Sequence, residues 1–325
     1  MQRIALLLFI AAAFLLTACD PMAQRPTRQV IVVSLTATAA PTISATPSHT
    51  RTLIPTETPD FTPTPTPFPC EDDGQILEIS QYQSDAAREN LPYHVYLPPC
   101  YAETQQRYPV LFLLHGLAER QSQWADLGIE RELNQGIRLG ILPPMIVVMP
   151  YYGNIGTRNR FPPDPSYETV LVEELLPRIE LNFCVWEDRD YRAIGGISRG
   201  GFWAYSIAMR HPDLFSIAGS HSGVYPENIP AANNPLEIAR NNTLLPEIDL
   251  RLYLDNGARD DAGISQQTLS DRLRTRAIPH TYIINPVGGH DADYWSAHIS
   301  EYLDFYGETW PRNYSSLPSC LEPSP

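Results

Sequence analysis

Tyr191-Arg192-Ala193-Ile194-Gly195-Gly196-Ile197-Ser198-Arg199-Gly200-Gly201-Phe202-Trp203-Ala204 joins a predicted strand to a predicted helix. Ala193 and Ile194 run into glycines, the pattern of a short buried strand, and from Gly200 to Arg210 the spacing is helical. Between them Gly196-Ile197-Ser198-Arg199-Gly200 is a G-x-S-x-G. A chain that turns sharply from strand into helix brings the two backbones nearly into contact, so small residues are needed two positions either side of the turn. The turn residue is forced toward strained φ/ψ. Its side chain is pushed out of the sheet, at the positive end of the following helix. An oxyanion formed there meets free N–H groups and the helix dipole. The bare motif is common by chance; the strand–turn–helix context makes Ser198 a candidate nucleophile.

A serine hydroxyl needs a base, and the base needs an orienting acid. In this kind of turn the partners follow in the order Ser, acid, His. Of the late histidines, His280 precedes a strand and His298 lies inside a helix. His290 sits in Pro286-Val287-Gly288-Gly289-His290-Asp291, a loop just past a strand, and is the expected general base. Asp260, in Asn256-Gly257-Ala258-Arg259-Asp260 at the carboxyl end of another strand, is the expected acid, with Asp261 second and Asp255 third. An oxyanion hole needs two backbone donors. The expected ones are the N–H of Arg199 and the N–H of Leu117, in Leu114-His115-Gly116-Leu117. The Arg199 side chain either steers an acidic acyl group or pairs with a carboxylate. His290, Asp293 and His298 have a spacing open to a metal, but His290 does not readily serve both roles. No metal or cofactor is expected.

The 325 residues carry a formal charge of −14, which repels phosphate backbones and makes nucleic acid an unexpected partner. Arg3 followed by the apolar run 4–16 is a targeting segment, too short for a comfortable membrane span. It ends Leu16-Thr17-Ala18-Cys19, which resembles the lipobox of bacterial lipoproteins. That resemblance implies cleavage before Cys19, lipid on its thiol, and a place on the outer face of the cell membrane. Residues 19–69 are read as a linker, Thr/Pro-rich from about residue 36, able to reach on the order of 100 Å as polyproline II. Cys70, Cys100, Cys184 and Cys320 remain, and in an exported chain suggest two disulfides. The outer ends of a hairpin lie together, so Cys70–Cys100 is expected, leaving Cys184–Cys320.

The globular domain is expected over 70–325. Residues 75–84 and 91–97 read as a hairpin. Residues 110–114 and 145–149 are continuous apolar runs, the mark of strands buried on both faces. Further strands are expected at 215–219, 249–254 and 281–284. Helices are expected at 126–139, 167–183 with a bend at Pro177, 264–276 and 292–306. Residues 224–246 read as a polar excursion that shapes the pocket. Strands alternating with helices after an initial hairpin predict a three-layer α/β sandwich with a mostly parallel sheet. Ligands in such sheets bind beyond the carboxyl ends of the strands.

Taken together, these stretches resemble the esterase D family of α/β-hydrolases, which includes feruloyl, acetylxylan and enterochelin esterases, S-formylglutathione hydrolase and the mycolyltransferases. The resemblance rests on Val95-Tyr96-Leu97-Pro98-Pro99, on Tyr108-Pro109-Val110-Leu111-Phe112-Leu113-Leu114-His115-Gly116 with Trp124, and on the Ser198 segment. Gly257-Ala258-Arg259-Asp260 and Gly288-Gly289-His290-Asp291-Ala292-Asp293-Tyr294-Trp295 complete it. It implies Ser198, Asp260 and His290 as nucleophile, acid and base, and Leu117 and Arg199 as oxyanion donors. His115 reads as structural or as lining the pocket, and with Trp124 and Trp295 is a candidate for substrate contact. The implied activity is a serine carboxylesterase acting on small or carbohydrate-linked esters, with an acyltransferase of the same fold or a catalytically inactive surface-binding lipoprotein as the alternatives. Arg199 departs from the Met of many members, and Cys100 from their Gly.

Overall fold

The computed structural model describes residues 29–33 and 72–322. The expected leader, Cys19, Cys70 and most of the expected linker lie outside the described residues. The strands are β1 (Gln29–Val33), β2 (Gln75–Ile79), β3 (Gln83–Ser84), β4 (Glu89–Asn90), β5 (Tyr93–Leu97), β6 (Val110–Leu114), β7 (Ile146–Pro150), β8 (Arg192–Ile197), β9 (Ile217–His221), β10 (Arg251–Gly257) and β11 (His280–Asn285). Nine of them form one sheet in the order β1-β11-β10-β9-β8-β6-β7-β5-β2, and β3 pairs with β4 apart from it. The pairs from β7 through β6, β8, β9 and β10 to β11 are parallel. β1, β5 and β2 join antiparallel.

Alternation along β6 explains the layers. Val110, Phe112 and Leu114 face one core with Phe202, Trp203 and Tyr167, while Leu111 and Leu113 face the other with Leu133, Trp295 and Tyr302. The helices Arg199–Arg210 and Gly263–Thr275 cover the first face; Ile129–Arg138 and Ala292–Gly307 cover the second. This is the three-layer α/β sandwich that the pattern of elements predicts.

Several boundaries differ from expectation. The strand expected over 75–84 stops at Ile79, because the Asn90 side chain takes the Tyr82 N–H at 2.7 Å and holds the Ser80 carbonyl at 2.8 Å, turning the chain into the β3–β4 ribbon. The helix expected from 126 begins at Ile129, after Gly128 at φ 95. The helical path from Tyr167 to Asn182 widens into a π-turn over Val170–Leu175, just before Pro177, which has no N–H to offer. Gln29–Val33, inside the stretch read as linker, is an edge strand paired in register with β11. Cys184 and Cys320 are bridged, with Cα atoms 5.7 Å apart. Cys100 is also in a disulfide, and Cys70, its expected partner, lies outside the described residues.

Candidate active site

The register Leu114↔Gly196 sets the end of β6 beside the end of β8. Ser198 follows at φ 55 and ψ −113, a conformation a non-glycine residue rarely adopts. The flanking glycines make this possible. A Cβ on Gly196 would sit 2.4 Å from the Gly200 carbonyl carbon, and one on Gly200 would sit 2.4 Å from the Leu114 carbonyl oxygen. Ser198 thus stands at the start of the helix Arg199–Arg210, at the carboxyl rim of the sheet.

The acid and base come from the two neighbouring strand ends. Ala258 N–H donates to Asn285 O at 2.8 Å and Arg259 N–H to Gly288 O at 3.1 Å, lacing the loop after β10 to the loop after β11. A Cβ on Gly257 would strike the Gly288 carbonyl at 2.4 Å, so this lacing depends on glycine. The result is His290 Nδ1 3.0 Å from Asp260 Oδ1, with the carboxylate fully buried and the imidazole 36% exposed. Burial alone would raise the Asp260 pKa. The contacts from His290, Ser222 and the Ala262 N–H, with the charge of His290, outweigh it and hold the carboxyl below its ordinary value. Asp260 therefore stays ionised, which is what an orienting acid requires.

Ser198 and His290 border one cavity of about 510 Å³. No direct hydrogen bond joins the two side chains here. Leu117, Ala118, Glu119, Gln123, Asp126, Asp291 and Trp295 share the wall. The N–H groups of Leu117 and Arg199 donate to no other group among the described residues, leaving two donors near the serine. Gly116, before Leu117, is held on both sides: its N–H donates to Gln123 Oε1 at 2.8 Å, and its carbonyl accepts from the Tyr152 hydroxyl at 2.7 Å.

Some expected residues stand elsewhere. His115 is buried and does not border the cavity. Its Nδ1 donates to Gly116 O at 2.7 Å and its Nε2 accepts from Tyr152 N–H at 3.2 Å. Trp124 is likewise buried, its Nε1 3.2 Å from Leu114 O, and is not a substrate wall. Trp295 does border the cavity, edge-on to His290 with centroids 5.1 Å apart. The Arg199 guanidinium neither meets a carboxylate nor enters the cavity. It donates to Gly156 O, Arg158 O and Asn159 Oδ1 at 3.2, 3.3 and 2.9 Å. Asp261 is exposed, and Asp255 is buried with His221 Nδ1 at 2.8 Å and the hydroxyls of Tyr294 and Tyr302. None of residues 224–246 borders the cavity; the helix Pro235–Asn241 packs instead near Gly263–Thr275. Gln123, Tyr152 and Ser222 are site residues that the pattern of the sequence does not mark.

A family model described as "Putative esterase" matches residues 84–306. An endo-1,4-beta-xylanase/feruloyl esterase of Xylanibacter ruminicola is 34% identical over 162 residues, 46% of this chain and 22% of that protein. Esterase Rv1288 of Mycobacterium tuberculosis is 36% identical over 149 residues, 44% of this chain and 31% of that protein. The chain thus matches a third or less of the length of these relatives. A solved ferulic acid esterase superposes with a TM-score of 0.66 at 26% identity, covering 73% of this chain and 99% of that one. The family match spans most of the chain, and the fold agrees with it: the protein belongs to the "Putative esterase" family, on the α/β-hydrolase scaffold.

Proposed function

We propose that the protein is an exported serine carboxylesterase that hydrolyses small or carbohydrate-linked esters of the feruloyl or acetyl type through an acyl-enzyme on Ser198. The observation that carries this reading is the meeting of Ser198, Leu117 and His290 on one cavity, with Asp260 holding the imidazole from behind and the Arg199 amide next in chain to the serine. Ser198 Oγ attacks the ester carbonyl while His290 Nε2 takes its proton. Asp260 holds the other face of the imidazole and stabilises the imidazolium. The Leu117 and Arg199 N–H groups receive the oxyanion. His290 then protonates the leaving alcohol, and water repeats the sequence to free the acid. The open Ser198–His290 approach is ordinary for a site without substrate, where such contacts tighten on binding.

The wall of the cavity supports neutral substrates. Glu119, Asp126 and Asp291 border it, and no Lys or Arg does. A carboxylate-bearing ester would enter against like charge, whereas sugar hydroxyls find acceptors there and an aromatic face in Trp295. The leader and the Cys19 motif support membrane anchoring through lipid, with the domain outside the cell.

A panel of aryl acetates, methyl hydroxycinnamates and matched esters carrying a free carboxylate tests this on wild type and Ser198→Ala. Hydrolysis of the neutral esters, weak turnover of the anionic ones, and loss of at least about 10³-fold in Ser198→Ala are expected. Equal activity of the two proteins across the panel would sink the reading.

A further inference from the structure

The corner after β9 touches Ser198, Trp295 and Asp260. His221 O accepts the Ser198 N–H at 2.9 Å, and Val224 N–H donates to Ser198 O at 3.3 Å. Between them lies Ser222, wholly buried, its N–H donating to Asp255 O at 2.8 Å. The corner itself is pinned from below. His221 is held by Asp255 at 2.8 Å and by the Tyr306 hydroxyl at 2.9 Å.

Ser222 sits at φ 53, where glycine is at ease and serine is not. A strained residue with a hydroxyl, kept at a site of chemistry, points to a use for that hydroxyl. Its oxygen accepts from the Trp295 Nε1–H at 3.0 Å. On the other side is the Asp260 carboxylate, whose acidity the Ser222 hydroxyl increases. Asp260 Oδ1 is already taken by His290 and by the Ala262 N–H at 2.8 Å. Oδ2 is sealed from solvent with no well-formed bond of its own. An ionised oxygen in that position is costly unless a donor serves it.

We propose that Ser222 is a positioning residue for the esterase reaction: its hydroxyl accepts from the Trp295 indole and donates a hydrogen bond to Asp260 Oδ2, fixing the carboxylate for His290. The cavity wall and the catalytic acid are thereby tied through one hydroxyl. The assignment rests on the serine mechanism proposed above.

Ser222→Gly removes the hydroxyl and suits the backbone, so folding is preserved. Ser222→Ala keeps the Cβ and serves as the second variant. Assayed on an aryl acetate, both lower kcat about 10-fold with KM within twofold. The same substitutions placed on Asp260→Asn change the residual rate less than twofold, because the charge they serve is gone. Wild-type kcat in both variants would overturn the proposal, as would an equal fold-loss with and without Asp260→Asn, the mark of a packing role. Activity surviving Ser198→Ala would overturn it differently, by removing the mechanism beneath it.

Discussion

Burial and hydrogen bonding give two histidines of this rim opposite work. His290 is held at one nitrogen by Asp260 and faces the cavity with the rest of its ring. His115 is sealed in, one nitrogen spent on the Gly116 carbonyl beside Leu117 and the other on the Tyr152 N–H. Burial lowers the His115 pKa to about 4, against the raising effect of the Gly116 carbonyl and with some help from Arg120. Between about pH 4 and the unfolded value near 6.5, the unfolded chain therefore binds more protons at this residue. Stability attributable to it rises with pH across that window and is lost as pH falls, by up to about 3 kcal/mol. Chemical denaturation at pH 7 and at pH 4.5 checks this. His115→Gln is less stable than wild type at pH 7, yet loses less on acidification; identical pH slopes for the two proteins would refute the assignment. The same contrast shows what the sequence can carry at this scale. Ser198, Asp260 and His290 leave marks in the chain: glycines two positions away, strand ends, an order of appearance. Trp124 stands away from the cavity and His115 takes the structural one of its two expected roles, because residue type does not say which way a side chain faces. Ser222 left no mark, since its partner Trp295 is 73 residues distant and obeys no period.

Among the elements, the nucleophile helix does more than present Ser198. Its first residue, Arg199, reaches sideways and secures the segment after the short helix Gly153–Thr157 by three hydrogen bonds, with its guanidinium stacked 4.5 Å from the Phe202 ring and 5.1 Å from Trp203. Burial lowers its pKa to about 10, so the charge persists at neutral pH. Three carbonyl-type acceptors and two aromatic faces stand in for a carboxylate partner. Arg199→Met keeps the backbone N–H that serves the oxyanion and removes the strap. We expect amide exchange in residues 156–160 to speed at least about 10-fold while kcat changes less than about fivefold; unchanged exchange would mean that the segment holds itself. Elements were readable where burial is uniform, as in β6 and β7, and unreadable where pairing is set from afar. Val30-Ile31-Val32-Val33 is a β-branched run of the kind that favours strands, but its partner, β11, lies some 250 residues later.

Across the whole molecule, β1 and β2 close opposite edges of the sheet. Eight strand spacings separate them, about 38 Å. The chain between Val33 and Asp72 must cross that width. This changes what the Thr/Pro-rich stretch does for an anchored enzyme. If lipid is carried at Cys19, only residues 20–28 lie between it and β1, a reach of at most about 35 Å. The anchor then leads to the β11 edge, and residues 34–71 do not lie in sequence between it and the first strand of the sheet. Every one of the 23 basic residues is arginine, so an amine-reactive label has only the α-amino group to find, and the mass of the labelled terminal peptide distinguishes a start at Cys19 from an uncleaved one. Deleting residues 35–69 tests the crossing. It leaves Ser34, Cys70 and Glu71 between Val33 and Asp72, about 14 Å at full stretch. Such a chain cannot reach both edges, so β1 must leave β11. Exchange at the β11 amides that face β1 should rise while the triad, whose residues follow strands four to seven positions from β2, stays assembled and hydrolysis of an aryl acetate persists. Unchanged protection of His280–Asn285 in the deletion would show that β1 pairs without crossing the sheet, and the edge assignment would fall.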